Sequence, residues 1–248
     1  MFQFFIDADE IMEDGIHIKN PQSVNHIKNV LRMKPGEKIR LCCEAKEKEY
    51  TCSIISLDSE EIFAQIEDID GESRELPCEI TLYQGLPKGD KMELIIQKAV
   101  EIGASRIVPV ATKRSVVKLD EKRAKKKVDR WNLIAESAAK QSKRNRIPQV
   151  TSIMTYAMAI EDAKDCSSVL IPYEDARGMS HTREVMESMK GQASIGIFIG
   201  PEGGFEDKEV EMVKEIGGHV ITLGHRILRT ETAGLTTLSI LSYLLEED

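Results

Sequence analysis

Apolar residues along this chain recur with two different periods, and the change comes near residue 76. Before it, "KIRLCCEA" (38–45), "EYTCSIISL" (49–57) and "EIFAQIEDI" (61–69) alternate or run in β-branched residues, which predicts strands. "KPGEK" (34–38) supplies a turn between them. Val24, Ile27 and Leu31 recur at helical spacing behind Asn20, a capping residue, and Pro21, which suits a first turn. A short helix is predicted there, and several short strands with one helix predict a compact β-barrel. The polar stretch "DGESRELP" (70–77) reads as a boundary, with one domain expected over 1–72 and a second over 76–248.

After the boundary the pattern alternates between the two periods. "EITLYQGL" (79–86), "RIVPVA" (106–111), "SSVLIPYE" (167–174), "ASIGIFIG" (193–200) and "HVITLG" (219–224) predict strands. Two of them, "SSVLIPYE" and "ASIGIFIG", are near-continuous apolar runs, as in strands buried on both faces. Helices are predicted over "KMELIIQKAVEIG" (91–103), from about 121 to 144, over "EDKEVEMVKEIGG" (206–218), and over 230–247. Gly103 provides a helix stop, and acids open the 206–218 helix where the dipole favours them. In the 121–144 helix Val128, Trp131, Ala135 and Ala138 form the apolar stripe, so Trp131 reads as core. Strands alternating with helices predict an α/β domain with a largely parallel sheet.

Composition narrows the class. Of 248 residues 41% are hydrophobic and 31% charged, the balance of an ordered soluble chain. No apolar run reaches the length of a membrane span, and the first residues carry acids where a secretory signal needs Lys or Arg. The five cysteines are odd in number and include no C-x-x-C pair, which argues for reduced thiols and a cytoplasmic protein. The net charge of −8 is unevenly spread. Residues 113–146 hold 13 Lys and Arg against 4 Asp and Glu, a local +9, which leaves −17 elsewhere. A concentrated basic segment in an acidic chain points to a phosphate backbone, although a solvated helix face gives the same composition.

Two strands run into glycine: "IFIG" into "PEGGF", and "ITLG" into "HRILRTETAG". Glycines at the carboxyl ends of strands let backbone groups approach a ligand without a Cβ in the way. Neither loop is G-x-G-x-x-G or a phosphate loop ending in G-K-[ST], so a ligand read by main-chain atoms matches better. A plain tight turn is the alternative for either loop taken alone.

"GPEGGF" (200–205) followed by "LGHRILRTETAGL" (223–235) resembles the ribosomal RNA small-subunit methyltransferase E family. "HIKNVLRMKPGEKI", "LPKGDKMELIIQKAVEIG", "TKRSVVKL", "RWNLIAESAAKQSKRNRIP" and "LIPYE" extend the resemblance over most of the chain. It implies a small N-terminal PUA-like β-barrel that binds RNA, joined to a trefoil-knotted SPOUT methyltransferase domain working as a homodimer. It also implies S-adenosylmethionine as cofactor and N3 of a uridine in 16S ribosomal RNA as target, with the assembled 30S subunit as the expected substrate. On this resemblance Gly200, Pro201, Glu202, Gly203 and Gly204 form one wall of the cofactor site. Leu223, Gly224, Ile227, Leu228, Arg229 and Thr230 form the other, with Tyr173 and Glu174 on the neighbouring strand.

Methylation at N3 needs the imino proton removed and charge stabilised at the uracil oxygens. Arg229 is the first candidate for the second task. Glu231 is a candidate for the first, with water as its rival, and has a structural reading as a first-turn acid of the last helix. Thr230 or Thr232 could cap that helix. His26, Arg32, Lys113, Arg114, Arg144 and Arg146 are candidates for RNA contact, mainly as phosphate positioners. Lys88 and Lys91 open a helix where cations are slightly disfavoured, a hint of use on RNA. No His, Asp and Glu pattern has metal-ligand spacing. The sequence departs from the family at Gln3, ahead of Phe4 and Phe5, where an arginine is expected. Two rivals stand beside the enzyme reading. A non-catalytic RNA-binding assembly factor of the same fold accounts for the basic segment, and a small-molecule α/β enzyme accounts for the glycine loops.

Overall fold

The computed structural model describes residues 1–71, 73–115, 120–174, 176 and 178–246. Glu72, the end of "TKRSVVKL" (116–119) and Glu247 of the expected last helix lie outside the described residues. The chain divides into two compact units, one of Met1–Glu75 with Ala139–Arg146 and one of Leu76–Ala138 with Ile147–Asp248.

In the first unit the elements are β1 (Phe2–Phe5), β2 (Ile16–Ile18), α1 (Pro21–Asn25), β3 (Lys38–Cys43), β4 (Lys48–Leu57) and β5 (Ile62–Asp70). The sheet order is β1-β3-β4-β5-β2, an open half-barrel whose edge strands β1 and β2 do not pair with each other. Register shifts between Thr51 and Cys52 and between Ile54 and Ser56 supply the bulges that bend a two-stranded stretch into a curved one. Phe4, Ile16, Ile18, Ile39, Leu41 and Ile62 fill the concave side, as the alternation requires. β1 and β2 are not legible in the pattern, because three or four residues carry too little period. Asn20 Oδ1 accepts from Gln22 N and Ser23 N at 2.9 and 3.2 Å, so the predicted cap forms. The helix then widens into a π turn over His26–Val30.

His17 sits between two carboxylates on this unit, with Nδ1 2.6 Å from Glu61 Oε1 and Nε2 3.1 Å from Asp14 Oδ1. The hydrogen bond to Glu61 raises its pKa above the ordinary 6.5, burial opposes this, and Asp14 adds to it. The folded unit therefore favours the charged ring, and that stabilisation is complete below the ordinary histidine pKa and lost as pH rises through the raised one. Thermal midpoints measured between about pH 6 and pH 9 should fall with pH, and the fall should shrink in His17→Gln.

The second unit contains β6 (Glu79–Gly85), α2 (Lys91–Ile102), β7 (Arg106–Ala111), α3 (Glu121–Ser142), β8 (Gln149–Val150) and β9 (Met154–Thr155). There follow α4 (Tyr156–Ala163), β10 (Ser168–Pro172), α5 (Met179–Glu187), β11 (Ser194–Ile199), α6 (Asp207–Glu215), β12 (His219–Ile221) and α7 (Thr230–Leu245). The last turn of α3, from Ala139, counts with the first unit. The order β12-β10-β11-β6-β7-β8 is parallel throughout, in agreement with the α/β pattern. Tyr83, Tyr156, Phe198, Phe205 and Val213 pack one face of this sheet, and Trp131 of α3 is buried as its stripe requires. α4 and α5 are too short for an apolar period to announce them in the sequence. α3 ends two residues before the expected 144, since Lys143 takes φ 60 and breaks the helix. β12 stops at Ile221, three residues short of "HVITLG", because Thr222 N–H turns away from the sheet to Thr182 Oγ1 at 3.0 Å. All five cysteines are free thiols, and burial pushes Cys42 and Cys52 up to about 12.

Candidate active site

β12, β10 and β11 are neighbours in that order, so the segments leaving their carboxyl ends converge on one side of the sheet. They enclose a cavity of about 790 Å³, within the range of small-molecule sites. Every residue named above for the cofactor lines it: Tyr173 and Glu174 after β10, the 200–204 loop after β11, and the residues from Leu223 to Thr230 after β12.

The sequence of the 200–205 loop explains its shape. Pro201 and Phe205 are buried at its ends, and Phe205 packs tilted against Tyr156 with centroids 5.9 Å apart. Between these anchors Gly204 N donates to Pro201 O at 2.9 Å with Gly204 at φ +67, a turn that a side chain would strain. A Cβ on Gly200 would lie 3.2 Å from the Gly204 backbone, so the doubled-back loop leaves little room for a side chain there. Gly224 in the opposite wall also has positive φ, +105. Tyr173 Oη donates to Asp207 Oδ1 at 2.9 Å and so rests on the start of α6.

Two of the charged side chains at the cavity, Glu202 and Lys91, are committed to one another. The Glu202 carboxylate accepts from Lys88 N at 3.1 Å and from Lys91 Nζ at 3.0 Å. Burial would raise its pKa, yet these donors and its own backbone N–H hold it below the usual carboxylate range. Lys91 Nζ also lies 3.4 Å from Glu231 Oε2, so one ammonium serves two carboxylates and its own pKa is raised, first by Glu202. Lys91 lines the cavity, a position that the sequence signalled only through a cation in the first turn of a helix. Glu231, named as a proton acceptor, does not line the cavity but the groove beside it, and its charge is held by Lys91. Arg229 lines the cavity and is exposed, as the residue before α7 with extended backbone. That geometry corrects the capping alternative: Thr230 and Thr232 lie inside the helix, and Arg229 holds the cap position without a side-chain bond. Among the described residues no three His, Cys, Asp or Glu side chains are grouped to hold a metal ion.

The six cationic candidates for RNA are placed differently. Arg114 Nη1 donates to Gly203 O at 2.9 Å and thereby touches the glycine loop, while Lys113 beside it is exposed. In the first unit His26 is exposed with its ring edge-on to Phe4, and exposed Arg32 takes φ 54, a left-handed conformation that costs a non-glycine residue energy. Arg144 is corrected: at 4% exposure its guanidinium pairs with Glu75, which also takes Arg146 Nε at 3.2 Å. A buried, paired guanidinium holds the unit together and does not present itself to a phosphate. Gln3 is likewise internal, donating from Nε2 to Arg144 O at 2.6 Å.

Comparison with known proteins places this geometry. An RNA methyltransferase domain model matches residues 74–242, and an RNA methyltransferase PUA domain model matches 18–67. The chain is 40% identical over 251 residues to the ribosomal RNA small subunit methyltransferase E of Bacillus subtilis, covering 99% of this chain and 98% of that one. It is 34% identical over 240 residues to the protein of that name from Mesomycoplasma hyopneumoniae, covering 96% and 98%. A crystal structure of the Neisseria gonorrhoeae ribosomal RNA small subunit methyltransferase E, bound to S-adenosyl methionine, superposes with TM-score 0.82 at 33% identity, covering 98% of each chain.

Proposed function

Because the chain belongs to the ribosomal RNA small subunit methyltransferase E family, we propose that it transfers a methyl group from S-adenosylmethionine to N3 of a uridine in 16S ribosomal RNA. The observation that carries this reading is the cavity itself, with glycine backbone on one wall and Arg229 at the end of the other. It fits an adenosyl group: Gly200, Gly203 and Gly204 make one wall largely of main chain, and Leu223, Ile227 and Leu228 offer apolar surface opposite. S-adenosylmethionine, when bound, supplies an electrophilic methyl group on a sulfonium. This chain's part is to orient the uracil, exclude water and stabilise charge at the carbonyl oxygens, which falls to Arg229. Glu231 is already ion-paired to Lys91 and stands off the cavity, so water takes the N3 proton and the Lys91 pair keeps the two carboxylates from repelling RNA.

The second unit is read as the SPOUT methyltransferase domain, 76–248, with its loops in a trefoil knot. The first is read as a PUA-like RNA-binding domain, 1–72, that presents His26 and Arg32. Lys113 and Arg114 hold phosphates beside the glycine loop. The protein works as a cytoplasmic homodimer on the assembled 30S subunit. Support for the dimer is the groove along α7 lined by Leu94, Leu235, Ile240 and Tyr243, where Tyr243 is 85% exposed. Family membership favours catalysis over the assembly-factor reading.

The test is incubation with labelled S-adenosylmethionine and 30S subunits lacking the modification, followed by mass spectrometry of digested nucleosides. Labelled 3-methyluridine at one site is expected. Cofactor binding with no methylated nucleoside would reopen the substrate, and failure of both binding and transfer in folded protein would leave the assembly factor standing.

A further inference from the structure

Gln84, on β6, is fully buried at 0% exposure and does not line the cavity, yet its hydrogen bonds lead to both walls. Its Nε2 donates to Thr230 Oγ1 at 2.8 Å and to Gly85 O at 3.0 Å. Thr230 Oγ1 donates in turn to Gly200 O at 2.6 Å. A hydroxyl has one proton, so its donation to Gly200 obliges Thr230 to accept from Gln84, and this fixes the orientation of the amide. The chain of bonds runs from the sheet, through the first residue of α7, to the first residue of the glycine loop.

Packing at the same point is as tight as the bonding. A Cβ on Gly85 would lie 2.7 Å from Pro201 N, so the end of β6 presses directly on the loop. A Cβ on Gly234 of α7 would stand 3.5 Å from Gln84 Oε1, ordinary van der Waals distance, so the helix lies close over the amide. Among the described residues Gln84 Oε1 is buried with no hydrogen-bond partner. A buried acceptor left unmade is costly, and leucine would fill the same space without it. The amide at this position therefore earns its place through the donor side.

We infer that Gln84 is a positioning residue for the cofactor, which acts through Thr230 to hold the two walls of the cavity at their working separation. The inference rests on the reading of the cavity as the S-adenosylmethionine site. Loss of the relay frees the Gly200 carbonyl and the entry to α7 at once, and weakens cofactor binding before it weakens anything else.

The experiment is calorimetric titration of S-adenosylmethionine into the full-length protein and into Gln84→Leu, Thr230→Val and the double variant. RNA KM is measured in parallel and circular dichroism checks folding. Each single variant should raise the cofactor Kd about tenfold, the order of one hydrogen bond, with RNA KM changed less than about twofold. The double variant should bind no more weakly than the worse single, because both changes break one relay. Thr230→Val keeps the side-chain shape and decides the matter should Gln84→Leu not fold. An unchanged Kd, multiplicative losses, or equal losses for cofactor and RNA would each overturn the inference. Absence of binding by the unaltered chain would overturn the cofactor reading and this inference with it.

Discussion

Arg229→Ala should lower kcat for methyl transfer by about 100-fold or more, the loss typical of removing one donor from a site where negative charge develops. Arg229 lines the cavity from the residue before α7, with extended backbone and no side-chain bond to the cap. The helix behind it should survive the change, since Thr230 keeps its bonds to Gln84 and Gly200. Single-turnover rates at saturating S-adenosylmethionine, compared with cofactor Kd from calorimetry, separate transition-state stabilisation from binding. A kcat within about threefold of the unaltered protein would remove Arg229 from the chemistry. Glu231→Gln provides the contrast. With its charge already held by Lys91, the expected change in kcat is about tenfold or less, whereas a true general base would cost about 100-fold or more.

The second large effect concerns stability. Arg144→Met should destabilise the protein by about 3 kcal/mol, because removing one partner of a buried ion pair leaves the other charge uncompensated. The figure is set at the lower end of the usual range since Glu75 retains Arg146 Nε at 3.2 Å and Asn145 N at 3.0 Å. Burial pulls the Glu75 pKa upward, but the hydrogen bonds and charges of Arg144 and Arg146 hold it below the usual carboxylate value. The pair's contribution is thus present above the ordinary carboxylate pKa and is lost as pH falls through the lower folded value. Urea denaturation at neutral pH and near pH 4 measures both points. If Arg144 were instead a phosphate contact, the variant would keep its stability and reduce the salt dependence of RNA binding by about one ion.

The different fates of the cationic candidates show what local pattern can and cannot carry. Trp131 was legible as core because helical spacing places it with Ala135 and Ala138, and a period needs no knowledge of partners. Arg144 and Arg146 lie in one basic run and look alike in sequence, yet Glu75, about seventy positions away, captures both, and Arg144 is buried by it. Lys91 carried a faint signal as a cation opening a helix. Its two carboxylate partners lie more than a hundred residues further along the chain, and nothing local identifies them. Gln84 carried no signal at all, being one polar letter in an apolar strand.

By itself the sequence determined the strands β6, β7, β10, β11 and β12 with the helices α2, α3, α6 and α7, the glycine loops after β11 and β12, and the resemblance that names the family. The elements and loops follow from residue periodicity and backbone preference, and the resemblance from matching motifs, all of them properties of neighbours along the chain. The tertiary structure decided which strands lie side by side, and hence that the loops after β10, β11 and β12 share one cavity. It also decided that Thr230 meets Gly200 thirty residues away and Gln84 one hundred and forty-six away. A hydrogen bond or ion pair depends on which two groups the sheet order brings within about 3 Å, and that order is a property of the folded whole.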